Sequence, residues 1–298
     1  MKNKSIKGTL ILLVTALIWG GAFAAQSSAS ELIGSFGFNA ARSFIAAALL
    51  FAAVCISAHM RSRPLFSGRE LFGGTMCGVF LFIATNLQQF GIAAYPAGVA
   101  SSGRSGFLTA TYVIIVALLS PIVGKKVRIS AVISAAGCLV GMYFLCLGGG
   151  VSGFYTADIL VFACALAFSA QILAVDKFSA LDSLRLSCVQ FAVCFLLSAA
   201  GAAVFEDNSA ASFIGAAPEI IYAGVMSSCV GYTLQMVGQK YAPPAVASVT
   251  MSLESVFAAL AGWAILGEKL SGTELFGCCL VFASVVFAQI PFGKKKQA

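Results

Sequence analysis

The chain has 298 residues, of which 60% are hydrophobic, 11% aromatic and 10% charged, against about 45–50% apolar and about 25% charged in an average soluble domain. So few charges cannot cover so much apolar surface in water, which excludes an aqueous fold and a disordered chain and leaves an integral membrane protein. The net charge of +7 is not gathered into a basic face, which excludes a nucleic-acid binder.

A hydrocarbon core about 30 Å thick needs roughly 20 apolar residues per helix. Ten runs meet that need, at about 8–28, 36–58, 71–92, 97–120, 128–148, 156–175, 185–205, 217–239, 243–266 and 272–292. The first follows Lys2, Lys4 and Lys7 and reaches Ala22-Phe23-Ala24, which imitates a signal peptide with its cleavage site. Its length, and the nine similar runs behind it, favour an uncleaved first helix. Gly74-x-x-x-Gly78 in the third run and Gly137-x-x-x-Gly141 in the fifth allow helices to approach closely. Pro96, Pro121, Pro218, Pro243 and Pro244 punctuate run ends, where a missing N–H costs least. The ten cysteines all fall inside apolar runs, with no C-x-x-C and His59 as the sole histidine, so they read as small packing residues.

Basic residues in alternate connections set the orientation. With the N-terminus inside, the inner segments carry Lys2, Lys4, Lys7, Arg61, Arg63, Arg69, Lys125, Lys126, Arg128, Lys177, Arg185, Lys240, Lys294, Lys295 and Lys296. Lys269 alone falls outside, and Arg42 and Arg104 lie within runs. Both termini are therefore expected in the cytoplasm, in a multi-pass protein of the cytoplasmic (inner) membrane.

The halves resemble each other. Leu87-Gln88-x-x-Gly91 recurs as Leu234-Gln235-x-x-Gly238, and Val99-Ala100-Ser101 as Val246-Ala247-Ser248. Phe23-Ala24-Ala25-Gln26 recurs as Phe168-Ser169-Ala170-Gln171, and Gly124-Lys125-Lys126 as Gly267-Glu268-Lys269. Matches in one order, at offsets near half the length, point to an internal repeat. Five helices per half is an odd number, so the second half enters the membrane from the opposite side. The expected architecture is all-α, with ten transmembrane helices as two inverted five-helix repeats, residues 1–148 and 149–298. Secondary transporters built this way bind substrate near the midplane between the halves.

Several of these residues resemble the EamA family of the drug/metabolite transporter superfamily. They are Trp19-Gly20-Gly21-Ala22-Phe23, Arg42, Gln88-Gln89, Gly106-Phe107-Leu108-Thr109, Ser252-Leu253-Glu254-Ser255-Val256 and Leu266-Gly267-Glu268. Ser255 stands where the family often has Pro, and Lys125 where an acidic residue often follows the glycine. The resemblance spans nearly the whole chain. It implies a ten-helix secondary transporter working by alternating access, commonly an exporter of amino acids or other small metabolites.

A charge near the bilayer centre costs about 2.5–3.5 kcal/mol on insertion scales, so each needs a reason. Glu254, near the middle of the ninth run, is expected to face the bundle interior or water. There it contacts substrate or carries a coupling proton, or else serves only as an interior hydrogen-bond or ion-pair partner. Arg104 is a candidate for gripping a substrate carboxylate bidentately, with snorkelling or an internal ion pair as the alternative. Arg42, nearer the interface, reads as a helix-end anchor or structural partner, with substrate binding as the alternative. Among the amides, Gln88 and Gln235, and Gln26 and Gln171, are repeat-related and are candidate ligands, as is Asn86; packing glue is the alternative. Gln89, Gln190 and Asn39 also need partners. Trp19, Phe23, Phe107, Tyr112 and Trp263 are candidates to line an apolar cavity.

No phosphate-binding loop, paired-aspartate spacing or H-E-x-x-H is present. A secondary transporter without enzyme activity, cofactor or metal is therefore expected. A membrane-embedded receptor or structural protein is the alternative, and an intramembrane enzyme a weaker one. The expected partners are a small-molecule substrate, the lipid bilayer and protons as coupling ion, with the chain a monomer or homodimer.

Overall fold

The structure, a computed structural model, describes residues 2–62, 64–96, 101–147, 154–266 and 271–289. Among these, regular structure is entirely helical. The first run forms α1 (Lys2–Gly20) and α2 (Ala22–Ala29), the second α3 (Ser35–Arg61) and the third α4 (Gly68–Ala93). The fourth is divided into α5 (Ser101–Ala110) and α6 (Tyr112–Leu119), and the fifth is α7 (Ile129–Leu147). The sixth and seventh are α8 (Thr156–Lys177) and α9 (Ser183–Phe205). After the short α10 (Ala210–Gly215), the eighth comprises α11 (Ala217–Ile221), a π-helical stretch Tyr222–Gly231 and α12 (Tyr232–Gln239). The ninth is divided into α13 (Pro244–Met251) and α14 (Glu254–Leu266), and the tenth is α15 (Gly272–Ala288).

Among the described residues, seven helical stretches are long and apolar enough to cross a membrane. Three shorter apolar helices, Arg104–Leu119, Pro244–Leu260 and Gly272–Ala288, fall on the fourth, ninth and tenth runs. Val99 and Ala100, the Gly267-Glu268-Lys269 match, Arg63, Lys294 to Lys296 and the Trp263 side chain lie outside what is described. Four runs expected as continuous helices are thus interrupted, and side-chain hydroxyls on backbone carbonyls mark three of the breaks. At Gly21 the Tyr222 hydroxyl donates to the Ile18 carbonyl at 2.8 Å, occupying the space that a side chain at Gly21 would fill. Thr111 Oγ1 donates to Leu108 O at 2.6 Å, and Ser252 Oγ to Val249 O at 2.7 Å, so both hydroxyls engage backbone carbonyls beside the breaks.

Polar residues finish the helix ends, whose first amides have no partner within the helix. Ser67 with Glu70 and Ser271 with Glu274 form capping boxes on α4 and α15. The start of α3 is capped from a distant connection. Glu206 accepts from the Phe36 and Gly37 amides at 2.8 Å each, and Asn208 Oδ1 from the Gly34 amide at 3.0 Å.

Counting the runs one to ten, the second packs on the seventh and the fifth on the tenth. The third packs on the sixth and seventh, and the eighth on the first and second. The fourth packs on the sixth, and the ninth on the first. Exchanging the halves, run one for six, two for seven and so on, carries the contacts of the third run onto those of the eighth and the fourth onto the ninth, and leaves the second–seventh and fifth–tenth pairings in place. The glycine pairs mark close crossings. A Cβ placed on Gly277 would lie 2.6 Å from the Gly141 carbonyl oxygen of α7, while Gly74 and Gly78 of α4 admit Val189 and Val193 of α9. The cysteines are free thiols, most of them buried.

Gly277→Val is expected to force α7 and α15 apart, at a cost of about 1–3 kcal/mol or more. Thermal unfolding in detergent should show a lowered midpoint. Gly272→Val, with open space around it, should show no comparable drop.

Candidate functional site

At the centre of the bundle lies a cavity of about 40 Å³. Its apolar wall is Trp19, Ala22, Phe23, Phe168, Ile172 and Met251. Its polar wall is Gln26, Arg42, Gln88, Thr109, Tyr112, Gln171, Ser227, Tyr232, Gln235 and Glu254. One water needs roughly 10–15 Å³ of such space, so this conformation admits a few waters. A metabolite of ordinary size enters only if helices move.

Two interrupted runs meet here. Tyr112 is the first residue of α6 and Glu254 the first of α14, and the Tyr112 hydroxyl donates to Glu254 Oε1 at 3.3 Å. Glu254 is 4% exposed and forms no ion pair among the described residues. Its place in the first turn of α14 gives the carboxylate the positive end of a helix dipole. Membrane transporters build ion and substrate sites from such discontinuous helices.

The buried amides form chains across the cavity wall. Gln235 Nε2 donates to Gln171 Oε1 at 3.1 Å, and Gln171 Nε2 to Gln190 Oε1 at 3.1 Å. Gln88 Nε2 donates to Thr109 Oγ1 at 3.1 Å. Arg42, 3% exposed, donates through Nε to Ser228 Oγ at 3.1 Å and through Nη1 to Gln26 Oε1 at 3.3 Å. Trp19 donates from Nε1 to the Ser227 carbonyl at 3.2 Å, and its ring lies 4.6 Å from that of Tyr232.

Of the twelve residues expected at the site, the cavity brings together Glu254, Gln88, Gln235, Gln26, Gln171, Trp19, Phe23 and Tyr112, and the Trp263 side chain lies outside what is described. The other three placements are corrected. Arg104 does not line the cavity: it grips Asp158 with two bonds, Nε to Oδ1 at 2.6 Å and Nη2 to Oδ2 at 2.5 Å. The Tyr95 hydroxyl adds a third at 2.8 Å, and the Tyr155 ring lies 4.8 Å from the guanidinium. Burial, and then the bond to the Asp158 carboxylate, raise the Tyr95 hydroxyl above the usual phenol range. The carboxylate that Arg104 holds is the chain's own. Asn86 joins helices, donating to Phe82 O at 2.9 Å and Ser198 Oγ at 3.0 Å while accepting from Asn39 at 3.2 Å. Phe107 packs edge-on to Tyr143, 6.2 Å between centroids, beside the apolar core.

A family model described as the EamA-like transporter family matches residues 6–147 and again residues 155–289. The chain belongs to the EamA-like transporter family. It is a multi-pass membrane transporter, and its two family matches are successive repeats. An uncharacterized transporter of Archaeoglobus fulgidus is 31% identical over 287 residues, covering 93% of this chain and 84% of that one. A solved crystal structure of another protein superposes with a TM-score of 0.77 at 18% identity, over 95% of this chain and 98% of that one. At that identity the likeness concerns the fold alone.

Within this EamA-like frame, sequence reasoning missed Ser227 and Tyr232 as cavity residues and placed Arg42 nearer the interface than the cavity. Arg42 sits less than two turns into α3, and position along a helix does not reveal depth within the bundle. Ser227 belongs to the π-helical stretch, whose wider turns shift every following side chain around the axis. A 3.6-residue period therefore assigns the wrong face. Thr109 and Phe168 stood inside quoted motifs, where their own chemistry was the available signal.

Proposed function

We propose that the chain is a secondary transporter, an exporter of an amino acid or related small metabolite, working by alternating access across the cytoplasmic membrane. In this reading it has ten spans in two inverted repeats, residues 1–148 and 149–298, with both termini in the cytoplasm. The recurrence of the helix pairings on exchanging the halves supports that arrangement. The observation that carries the reading is the meeting of Tyr112 and Glu254, each opening the second part of a broken helix in its own half, across one central cavity.

The breaks at Thr111 and at Ser252–Leu253 are the joints at which the cavity opens. Two ion pairs hold the ends of α8: Asp158 to Arg104 of the fourth run, and Asp176 to Lys125 in the connection that follows that run. Opening toward the outside parts the first, and opening toward the cytoplasm parts the second. Glu254 carries the coupling proton, since a carboxylate without a cation partner crosses the cycle most readily when neutral.

Purified protein in sealed vesicles, offered a panel of labelled amino acids with and without an imposed proton gradient, tests the proposal. Gradient-driven flux together with slower exchange in its absence is expected. No flux under either condition would contradict it.

A further inference from the structure

Arg42 differs from every other buried cation described. Arg104 is paired with Asp158, and Arg185 lies 3.5 Å from Glu70, whereas Arg42 forms no ion pair among the described residues and its side chain lines the cavity. Its two bonds, to Gln26 and Ser228, use only part of a guanidinium's five N–H donors. The Phe38 ring, 5.9 Å from the guanidinium carbon, is its cation–π neighbour.

The second half does the same structural job without a charge. In the first half, Arg42 on the second run bonds Gln26 on the first. In the second half, Gln190 on the seventh run bonds Gln171 on the sixth at 3.1 Å. The joint between those helices therefore works with a neutral amide, and the positive charge at position 42 exceeds what packing asks. A buried, uncompensated cation costs several kcal/mol, and such a charge persists where an anion completes it.

We propose that Arg42 is the anion-binding residue of the central cavity and that the ligand it takes is a small carboxylate. The carboxylate lies against the free edge of the guanidinium, held by charge-assisted N–H···O bonds. Gln26 and Ser228 fix the fork, and Gln235 Oε1, buried and without a partner among the described residues, accepts from a donor group on the ligand. The volume of the cavity limits the ligand to a few heavy atoms unless the helices part. This assignment rests on the reading of the cavity as the translocation site.

The test uses full-length protein in detergent, with thermal stabilisation by acetate, propionate and lactate as the readout and the corresponding amides as uncharged probes. Carboxylates should stabilise the wild type and amides should not. Arg42→Gln, which copies the neutral joint of the second half and so should fold, should weaken carboxylate binding about tenfold or more, as loss of hydrogen bonds between charged groups does. Arg42→Lys should recover part of it. Equal stabilisation by acids and amides, no stabilisation of the wild type by any of the acids, or unchanged binding in Arg42→Gln would each overturn the assignment. Binding without flux in the vesicle assay would instead count against the transport reading.

Discussion

Asp158→Asn is expected to be among the most damaging single substitutions in the chain. It leaves Arg104, buried and bonded twice to that carboxylate, without its counter-charge. Removing one partner of a buried pair costs about 3–5 kcal/mol. The pair at the other end of α8 is different in kind, because the Lys125 side chain is 45% exposed. Asp176 is buried but its partner is half in water, which weakens the pair and leaves no buried cation behind in Asp176→Asn, so this variant should shift the unfolding midpoint much less. Comparing the two variants by thermal unfolding in detergent checks the contrast. Equal losses would show that burial does not set the strength of these ties. The same difference biases the cycle: the tie at the Arg104 end is the harder to part, so the resting protein should favour opening at the Lys125 end.

Glu254→Gln is expected to abolish most proton-driven flux while leaving the protein folded. The amide keeps the size of the side chain and can still accept from Tyr112, but it cannot carry a proton. Because Glu254 has no ion-pair partner among the described residues, the fold loses no more than a hydrogen bond's worth, about 0.5–1.5 kcal/mol. Exchange without a gradient should fall much less, since it needs binding and reorientation but no net proton movement. Flux with normal gradient dependence in a well-folded Glu254→Gln protein would remove the coupling role.

Much of the fold was legible because hydrocarbon leaves a chain few options. Apolar run length and the glycine pairs on α4 and α7 each have one structural use, and each sits where that use requires. The helix breaks were not legible. They depend on long-range partners such as the Tyr222 hydroxyl on the Ile18 carbonyl, and no local signal at Gly21 distinguishes a break from a packing glycine. Side chains with a single way to be stable, a mid-span carboxylate and the repeated glutamines, turn inward as their chemistry requires. For the arginines the sequence left the alternatives open. Arg104 and Arg42 carry the same group, and only the presence of Asp158 beside one and a cavity beside the other separates their roles. Asp158 lies 54 residues from Arg104 in sequence, a pairing that spacing alone does not reveal.

The central claim is that the cavity opens alternately to the two sides of the membrane. A single cysteine at Ser227, on the cavity wall and 2% exposed in this conformation, tests it most directly in a background with the native cysteines replaced. Sealed vesicles of both orientations are treated with a membrane-impermeant thiol reagent, with and without an imposed proton gradient. The account predicts labelling from either face, with the two rates moving in opposite directions when the gradient is applied. Labelling from one face only, or from neither, would contradict it.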